Sequence, residues 1–319
     1  RLCHKARWLN GRHNSLAKNT RNGKNRLNSV PRYRLWIGPA MTAADKRHTF
    51  RTLHQSGCFV IPNPWNVGTA RYLQGLGFKA LATTSSGFAH SQGYADGAQT
   101  CDQVLAHFAE IAAATDVPVN ADFENGYADD IGRMAENVTR CIETGVAGLS
   151  IEDFTGDDAN PLYDFDTALA RVKAARAAID KAGGDVVFTA RTEGFIRGRP
   201  DLDETIRRLT PFADAGADCL YSPGIKTREQ IEATVNAVAP KAINFLNSSA
   251  FGFTVKDLAD MGVRRISVGG TLARVAMHAF IKAAKEIAKD SKFDSFGGVV
   301  SNAELNKFFN NDRANRPKP

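Results

Sequence analysis

The sequence predicts an α/β chain folded as a closed (β/α)8 barrel. Eight short β-branched or apolar runs alternate with eight longer runs of helical period between residues 59 and 289. Many of the helical runs close on glycine just before the next strand, at Gly75 and Gly77, Gly145, Gly183 and Gly184, Gly216 and Gly262, where a left-handed cap lets the chain reverse. No GxGxxG follows the first strand, so the signature of an open dinucleotide-binding sheet is missing. Eight such units in about 230 residues suit one barrel.

In chain order, strands are expected at 59–62, 80–84, 117–121, 148–151, 186–190, 219–221, 242–246 and 265–268. Helices are expected at 67–74, 102–114, 129–143, 166–181, 202–215, 227–238, 254–260 and 272–289, with a further helix before the first strand, ending near Gln55. Residues 41–319 thus form a single barrel domain with C-terminal helices. Residues 1–40 carry ten Lys and Arg and no Asp or Glu. They are expected to be a disordered basic arm or a stretch foreign to the native protein, since they lack the amphipathic period of a transit segment.

The formal charge of +7 comes from that arm: removing its ten cations leaves 31 basic against 34 acidic residues, a net −3. Nucleic acid is therefore not expected as a partner of the body. No apolar run approaches the 18 residues of a membrane span. The five cysteines, Cys3, Cys58, Cys101, Cys141 and Cys219, have no CxxC or Cys/His ligand spacing and read as reduced thiols of a cytoplasmic protein.

A barrel of this kind holds its active site at the carboxyl ends of its strands. The residues there are Asn63 and Trp65; Ser85, Ser86 and Gly87, with Asp96 in the next loop; Asp122 and Glu124; Glu152 and Asp153; Arg191 and Glu193; Ser222; Asn244 and Asn247; Gly269 and Gly270. Four carboxylates, Asp96, Asp122, Glu124 and Glu152, converge on one mouth with Arg191 as the cation among them. Oxygen donors of that kind suit a hard divalent ion that keeps several waters, magnesium or manganese.

The ordered set Ser86-Gly87, Gly93-Tyr-Ala-Asp96-Gly, Asp122-Phe-Glu124-Asn-Gly-Tyr127, Gly145-Val-Ala-Gly-Leu-Ser-Ile-Glu152-Asp153, Ala190-Arg191-Thr192 and Gly262-Val-Arg-Arg-Ile-Ser-Val-Gly-Gly270 resembles the isocitrate lyase/phosphoenolpyruvate mutase superfamily. The resemblance runs from Phe59 to Ile287. It implies a (β/α)8 barrel, magnesium, a small 2-oxo or enol carboxylate as ligand, and a homotetramer built as a dimer of swapped-helix dimers. It implies that Asp122 holds the metal directly while Asp96, Glu124 and Glu152 act largely through waters. Ser86 and Gly87 would offer amides to a substrate carboxylate, and Arg191, Asn244 and Arg274 would hold substrate.

The departures are equally specific. The loop at 154–163 reads Phe-Thr-Gly-Asp-Asp-Ala-Asn-Pro-Leu-Tyr. It lacks the catalytic cysteine of the isocitrate and methylisocitrate lyases and the lysine of the phosphonomutases, although Asn160 could serve as the mutases' loop asparagine. Pro223 stands where those lyases have glutamate. The expected function is a magnesium-dependent lyase or decarboxylase that breaks a C–C bond of a small 2-oxo or hydroxy carboxylate through an enolate, with Arg191, Glu152 and Asn160 as catalytic residues. Tyr127 and Tyr163 are the tyrosines available as proton donor. The alternatives are a phosphonomutase or P–C hydrolase, and a non-catalytic barrel that binds a metabolite.

Overall fold

The computed structural model describes residues 41–316, so the basic arm expected at 1–40 and the last three residues lie outside the described chain. Eight parallel strands, β1 (Phe59–Ile61), β2 (Leu81–Ala82), β3 (Val119–Asp122), β4 (Gly148–Glu152), β5 (Val187–Arg191), β6 (Cys219–Tyr221), β7 (Ala242–Leu246) and β8 (Arg265–Ser267), form one sheet in the order β1-β8-β7-β6-β5-β4-β3-β2. The sheet curls until β2 returns to β1, where Ala82 N–H donates to Pro62 O at 3.1 Å. Buried Asn63 reinforces this seam: its Nδ2 donates to Thr83 O at 2.8 Å, and its Oδ1 accepts from the Val268 and Gly269 amides at 3.0 and 2.9 Å. Expected at the mouth, Asn63 does line the cavity there and also joins β1, β2 and β8.

The floor of the barrel is closed by α1 (Ala43–Gln55). Phe50 is fully buried among Phe59, Ile61, Ala80, Ala82, Ala147 and Val187. Cations on the same helix meet carbonyls where other helices end: Lys46 Nζ donates to Ala112 O and Thr115 O, Arg47 to Ile142 O, and Arg51 to Gly184 O. Positive charge there complements the negative end of the helix dipole.

The barrel wall contains α2 (Val67–Gly75), α4 (Cys101–Ala114), α5 (Ile131–Glu143), α6 (Phe165–Lys181), α7 (Leu202–Asp214), α8 (Arg228–Val238) and α9 (Val255–Asp260). Their apolar faces pack on the sheet, with Phe108, Phe123, Met134, Val138, Phe188 and Phe212 at the centre of the largest cluster. Two helices differ from expectation. A short helix, α3 (Ser85–Ser91), begins directly at the mouth after β2, capped by the Thr84 side chain. The last expected barrel helix, α10 (Thr271–Asp290), has no buried residue: Val275 and Phe280 are 62% and 66% exposed. Instead α11 (Asn302–Ala314) returns to α2, where Arg71 Nε pairs with Asp312 Oδ1 at 3.0 Å and Phe308 packs on Tyr72.

Arg264 and Arg265, expected as a solvated or interface pair, separate. Arg264 caps Gly57 O, whereas Arg265 is buried in the barrel, donating to Asn244 Oδ1 at 2.8 Å and Thr189 Oγ1 at 3.1 Å. Cys58, Cys101, Cys141 and Cys219 are free thiols. Among the described residues no helix is long and apolar enough to cross a membrane.

Two imidazoles are held neutral inside the fold. Burial pushes His107, stacked on Phe88, down to about 4; burial, followed by the Arg265 charge, pushes His54 down to about 3. The unfolded chain takes up protons at both rings below pH 6.5 while the native chain does not, so their contribution is complete above 6.5 and is lost progressively as pH falls towards 4 and 3. Each tenfold difference in proton affinity is worth about 1.4 kcal/mol, which makes the loss on the order of a few kcal/mol. Glu124, Glu152 and Glu193, whose folded carboxyls are raised, act in the opposite sense, so the test is differential: between pH 7 and pH 4.5 the urea midpoint of His107→Leu should shift upward relative to that of the parent chain.

Candidate active site

Arg191, the last residue of β5, organises the mouth. Its Nη1 meets Asp122 Oδ1 at 2.6 Å, its Nη2 lies 3.0 Å from Glu152 Oε2 and 2.9 Å from Glu193 Oε1, and its Nε donates to Glu193 at 3.0 Å. The guanidinium also lies 4.8 Å from the Tyr221 ring centroid. Parallel pairing explains part of this convergence: β4 and β5 place Glu152 beside Arg191, and β3 and β4 place Asp122 beside Ser150. One guanidinium cannot balance three buried or half-buried carboxylates. Burial, then the neighbouring Glu193 charge, holds Glu152 well above the usual carboxylate range, and burial likewise raises Glu193.

On the other side of Asp122 the charge excess continues. Glu124 is raised to about 7, first by burial and then, against the Tyr127 hydrogen bond, by Asp122 and Asp96. Partial desolvation of its carboxyl and the Asp122 charge raise Asp96. The backbone carries strain here, with Glu124 and Tyr127 at φ 45° and 56°, a left-handed conformation unusual for residues with side chains. Tyr127 Oη donates to Glu124 Oε1 at 2.9 Å. Arg171 holds the turn by donating to the carbonyls of Asn125, Ala128 and Asp129.

These groups line a cavity of about 640 Å³. Of the sequence-predicted residues, Ser86, Asp96, Asp122, Glu124, Glu152, Arg191 and Asn244 line it. Asn244 lies deep, with Nδ2 on Ser267 Oγ at 2.9 Å and Oδ1 taken by Arg265. Gly87 lies behind the wall, its amide capped by Thr84 Oγ1 at 3.3 Å, which leaves Ser86 as the residue of the pair that faces ligand. A Cβ at Gly270 would overlap the Ser86 Oγ, so any larger residue there would force the Ser86 hydroxyl to rotate.

Besides Gly87, neither Asn160 nor Arg274 is brought to the cavity, nor are Trp65, Asp153, Ser222 and Asn247 from the strand ends. Asn160 is exposed on the 154–163 loop and turned to Asp157 Oδ2 at 3.3 Å, because Thr155 bonds the Asn160 carbonyl and the Phe154–Leu162 bridge folds the loop on itself. Arg274 is exposed on α10, where it reaches Thr271 Oγ1 and the Ser248 carbonyl. Tyr163 bonds Asp129 at 2.7 Å outside the cavity, whereas Tyr127 lines it.

Sequence reasoning assigned no role to Arg171 or Arg208. Buried Arg208 pairs with Asp153 Oδ2 at 3.1 Å and donates to Tyr163 O at 2.9 Å; Asp153 in turn accepts from Thr192 Oγ1 and Glu193 N–H, both at 2.8 Å. This group ties the base of the 154–163 loop to the turn that carries Arg191. The available signal was an arginine inside each apolar stripe: Ala168, Arg171, Val172 and Ala175 on α6, and Thr205, Arg208, Leu209 and Phe212 on α7.

Among the described residues no three His, Cys, Asp or Glu side chains form a ready metal donor set. The chemistry of the site nevertheless suits a divalent cation. Asp96, Asp122 and Glu124 are hard oxygen donors, and burial first, then crowding by like charge, raises the first and third. Magnesium takes one or two carboxylates directly and keeps its waters, so it does not require a closed protein cage.

The barrel carries a carboxylate-rich mouth around Arg191, and the family model for phosphoenolpyruvate phosphomutase matches residues 50–288. The chain belongs to the isocitrate lyase/phosphoenolpyruvate mutase superfamily. It is 42% identical to a solved structure from Burkholderia cenocepacia J2315 that carries the provisional description lyase/mutase, with a TM-score of 0.81 over 84% of this chain and 97% of that one. An uncharacterised protein of Mycobacterium tuberculosis is 31% identical over 75% of this chain and 89% of its own length. An oxaloacetate decarboxylase of Paraburkholderia xenovorans is 28% identical over 64% and 69%.

Removing one partner of a buried ion pair leaves the other charge uncompensated, at a cost of about 3–5 kcal/mol. Arg208→Ala, which strands the Asp153 carboxylate, should lower the unfolding free energy by about that amount in urea titrations at pH 7.

Proposed function

We propose that this chain is a divalent-cation-dependent lyase or decarboxylase that breaks a C–C bond of a small 2-oxo or 2-hydroxy carboxylate. The observation that carries the reading is Arg191, a guanidinium set against the carboxylates Asp122, Glu152 and Glu193 in a cavity that Asp96 and Glu124 also line. Asp122 would hold the ion, with Asp96, Glu124 and Glu152 around it. When bound, the ion supplies Lewis-acid stabilisation of the negative charge that develops on the substrate oxygen.

The protein's own groups do the rest. Arg191 orients the substrate carboxylate with its planar fork, and the Ser86 amide receives the other oxygen. Bond cleavage leaves its electron pair on the substrate as an enolate. Tyr127 Oη, which lines the cavity, would then give its proton to the enolate carbon and take one back from solvent. The phosphonate alternative is weaker, because Asn160, the loop asparagine it relies on, faces Asp157 rather than the cavity.

The same reading includes a homo-oligomer. The α10 face, with Val275, Phe280 and Ile281, and the following Phe293, Phe296, Val299 and Val300, leaves an extended apolar surface in solvent, larger than isolated surface residues account for. A second copy of the chain, exchanging α10, would cover it as part of a dimer of dimers. Phe280→Asp should shift the particle measured by light scattering to a smaller assembly; an unchanged mass would count against this use of α10.

Calorimetric titration of oxalate, an enolpyruvate mimic, should show binding with magnesium and none with chelator, and Asp122→Ala should abolish it. With oxaloacetate as the first substrate screened, Tyr127→Phe should slow pyruvate release by roughly 10²–10⁴-fold, the size of a general-acid contribution. Absence of oxalate binding in the intact protein under both conditions would remove the proposed site.

A further inference from the structure

Among the described residues, the cations that line the cavity are Arg191, Arg197 and Arg265. Two of them are occupied. Arg191 faces Asp122, Glu152 and Glu193 at 2.6–3.0 Å. Arg265, the first residue of β8, spends each nitrogen inside the barrel, on Asn244 Oδ1 at 2.8 Å, Thr189 Oγ1 at 3.1 Å and His54 Nε2 at 3.4 Å. Arg197 has capacity to spare. Its Nε has no hydrogen-bond partner, which is uncommon for a buried polar atom. Its Nη1 lies 3.6 Å from Asp158 Oδ1, on a side chain 88% exposed to water. An ion pair so long and so exposed is worth little, so exchanging Asp158 for a ligand carboxylate costs little. Packing holds the guanidinium in place, with its carbon 3.4 Å from the Phe154 ring centroid. The Arg197 backbone N–H donates to the carbonyl of Glu193, which also pairs with Arg191, at 3.1 Å. The Arg197 charge reaches the carboxyls of Asp96 and Glu193, lowering both against their burial. The cavity of about 640 Å³ has room for a whole diacid between the two arginines.

With the head group assigned to Arg191 and Asp122, a reading on which this one rests, we propose that Arg197 binds a second carboxylate at the far end of the substrate, and that this carboxylate survives the cleavage. The substrate is a diacid with the 2-hydroxysuccinate skeleton, which splits into a 2-oxo acid and a short monocarboxylic acid. The C2–C3 bond breaks, and its electron pair passes to C3, shared with the far carboxylate as an enediolate. The 2-hydroxyl loses its proton to a carboxylate of the mouth and becomes the carbonyl of the 2-oxo acid. C3 takes up a proton in turn, so no water, oxidant or reductant is consumed. The far carboxylate gains negative charge as the bond breaks, and a cation fixed there stabilises the transition state more than the bound substrate. Loss of CO2 runs the other way. The far carboxylate would surrender its charge, and a guanidinium on it would stabilise the substrate instead.

The test uses the whole protein with magnesium. In calorimetric titration 2-hydroxysuccinate should bind at least about tenfold more tightly than 2-hydroxybutanoate, which lacks the far carboxylate, the size of a charge-assisted hydrogen bond. Arg197→Gln should remove that difference and leave the affinity for oxalate, which reports the head group alone, unchanged. Arg197→Lys should keep part of the difference, and it decides the matter if the glutamine variant does not fold. Pyruvate release then separates the two chemistries: 2-hydroxy-2-methylsuccinate yields pyruvate and acetate, whereas oxaloacetate yields pyruvate and CO2. The hydroxy diacid should have a kcat/KM at least about tenfold higher, and Arg197→Gln should lower kcat/KM for that substrate alone. If oxalate fails to bind the parent chain, the proposed function falls, and this assignment with it. If oxalate binds but the preference for the diacid is absent, or survives both substitutions intact, Arg197 serves only to hold Phe154 and Asp158 and the assignment is overturned. If the preference depends on Arg197 but pyruvate comes faster from oxaloacetate, the far carboxylate is the leaving group and its survival is overturned.

Discussion

The mouth depends on one electrostatic constraint: Arg191 stands among Asp122, Glu152 and Glu193 at 2.6–3.0 Å, and three anions exceed what a single guanidinium neutralises. Buried ion pairs of this kind are weak sources of stability, because desolvation offsets most of the Coulombic gain. Their cost makes sense as preorganisation. Each carboxylate comes from a different segment, the end of β3, the end of β4 and the turn after β5, so Arg191 fixes the relative position of three loops while leaving the site short of positive charge. A cation or an acid substrate then enters a site whose charges are already placed, and only the pairing of Arg191 has to change.

Behind that cluster, irregular backbone is held by buried side chains. Arg171 gathers the carbonyls of the 125–129 turn, Asn63 joins the barrel seam, and Asp153 with Arg208 joins the 154–163 loop to the Thr192–Glu193 turn. Loops at a barrel mouth cannot satisfy their polar groups through the sheet ladder, so buried side chains must do it. The positive φ values at Glu124 and Tyr127 persist because this second layer over-determines the turn.

The barrel was legible because its signals are local and repeated: short apolar runs, period-3.6 helices and glycine at the reversals all agree. The polar residues at the strand ends were legible for the same reason, since a strand's end fixes which residue faces the mouth. What failed depends on partners distant in sequence, or on local turns of the chain that periodicity does not show. The amphipathic pattern of α10 reads alike whether its apolar face meets its own barrel or a second copy, and the sequence could not show that α11 would dock on α2. Asn160 lay in the correct loop, but Thr155 and Asp157 fold that loop so that its side chain points away. Arg265 sits next to Arg264 in sequence, yet the strand's alternation sends one into the barrel and the other outward.

The 154–163 loop and Arg191 are consequently not independent. Arg208 donates to both Asp153 and Tyr163 O, and Asp153 accepts from the two residues that follow Arg191. Arg197, further along the same segment, lies over Phe154 at the start of the loop. Moving the loop therefore pulls on the segment that presents the guanidinium, and re-pairing the guanidinium is felt at the loop's base. A group that re-paired Arg191 away from Asp122 or Glu152 would thus act on the 154–163 loop through packed, hydrogen-bonded contacts.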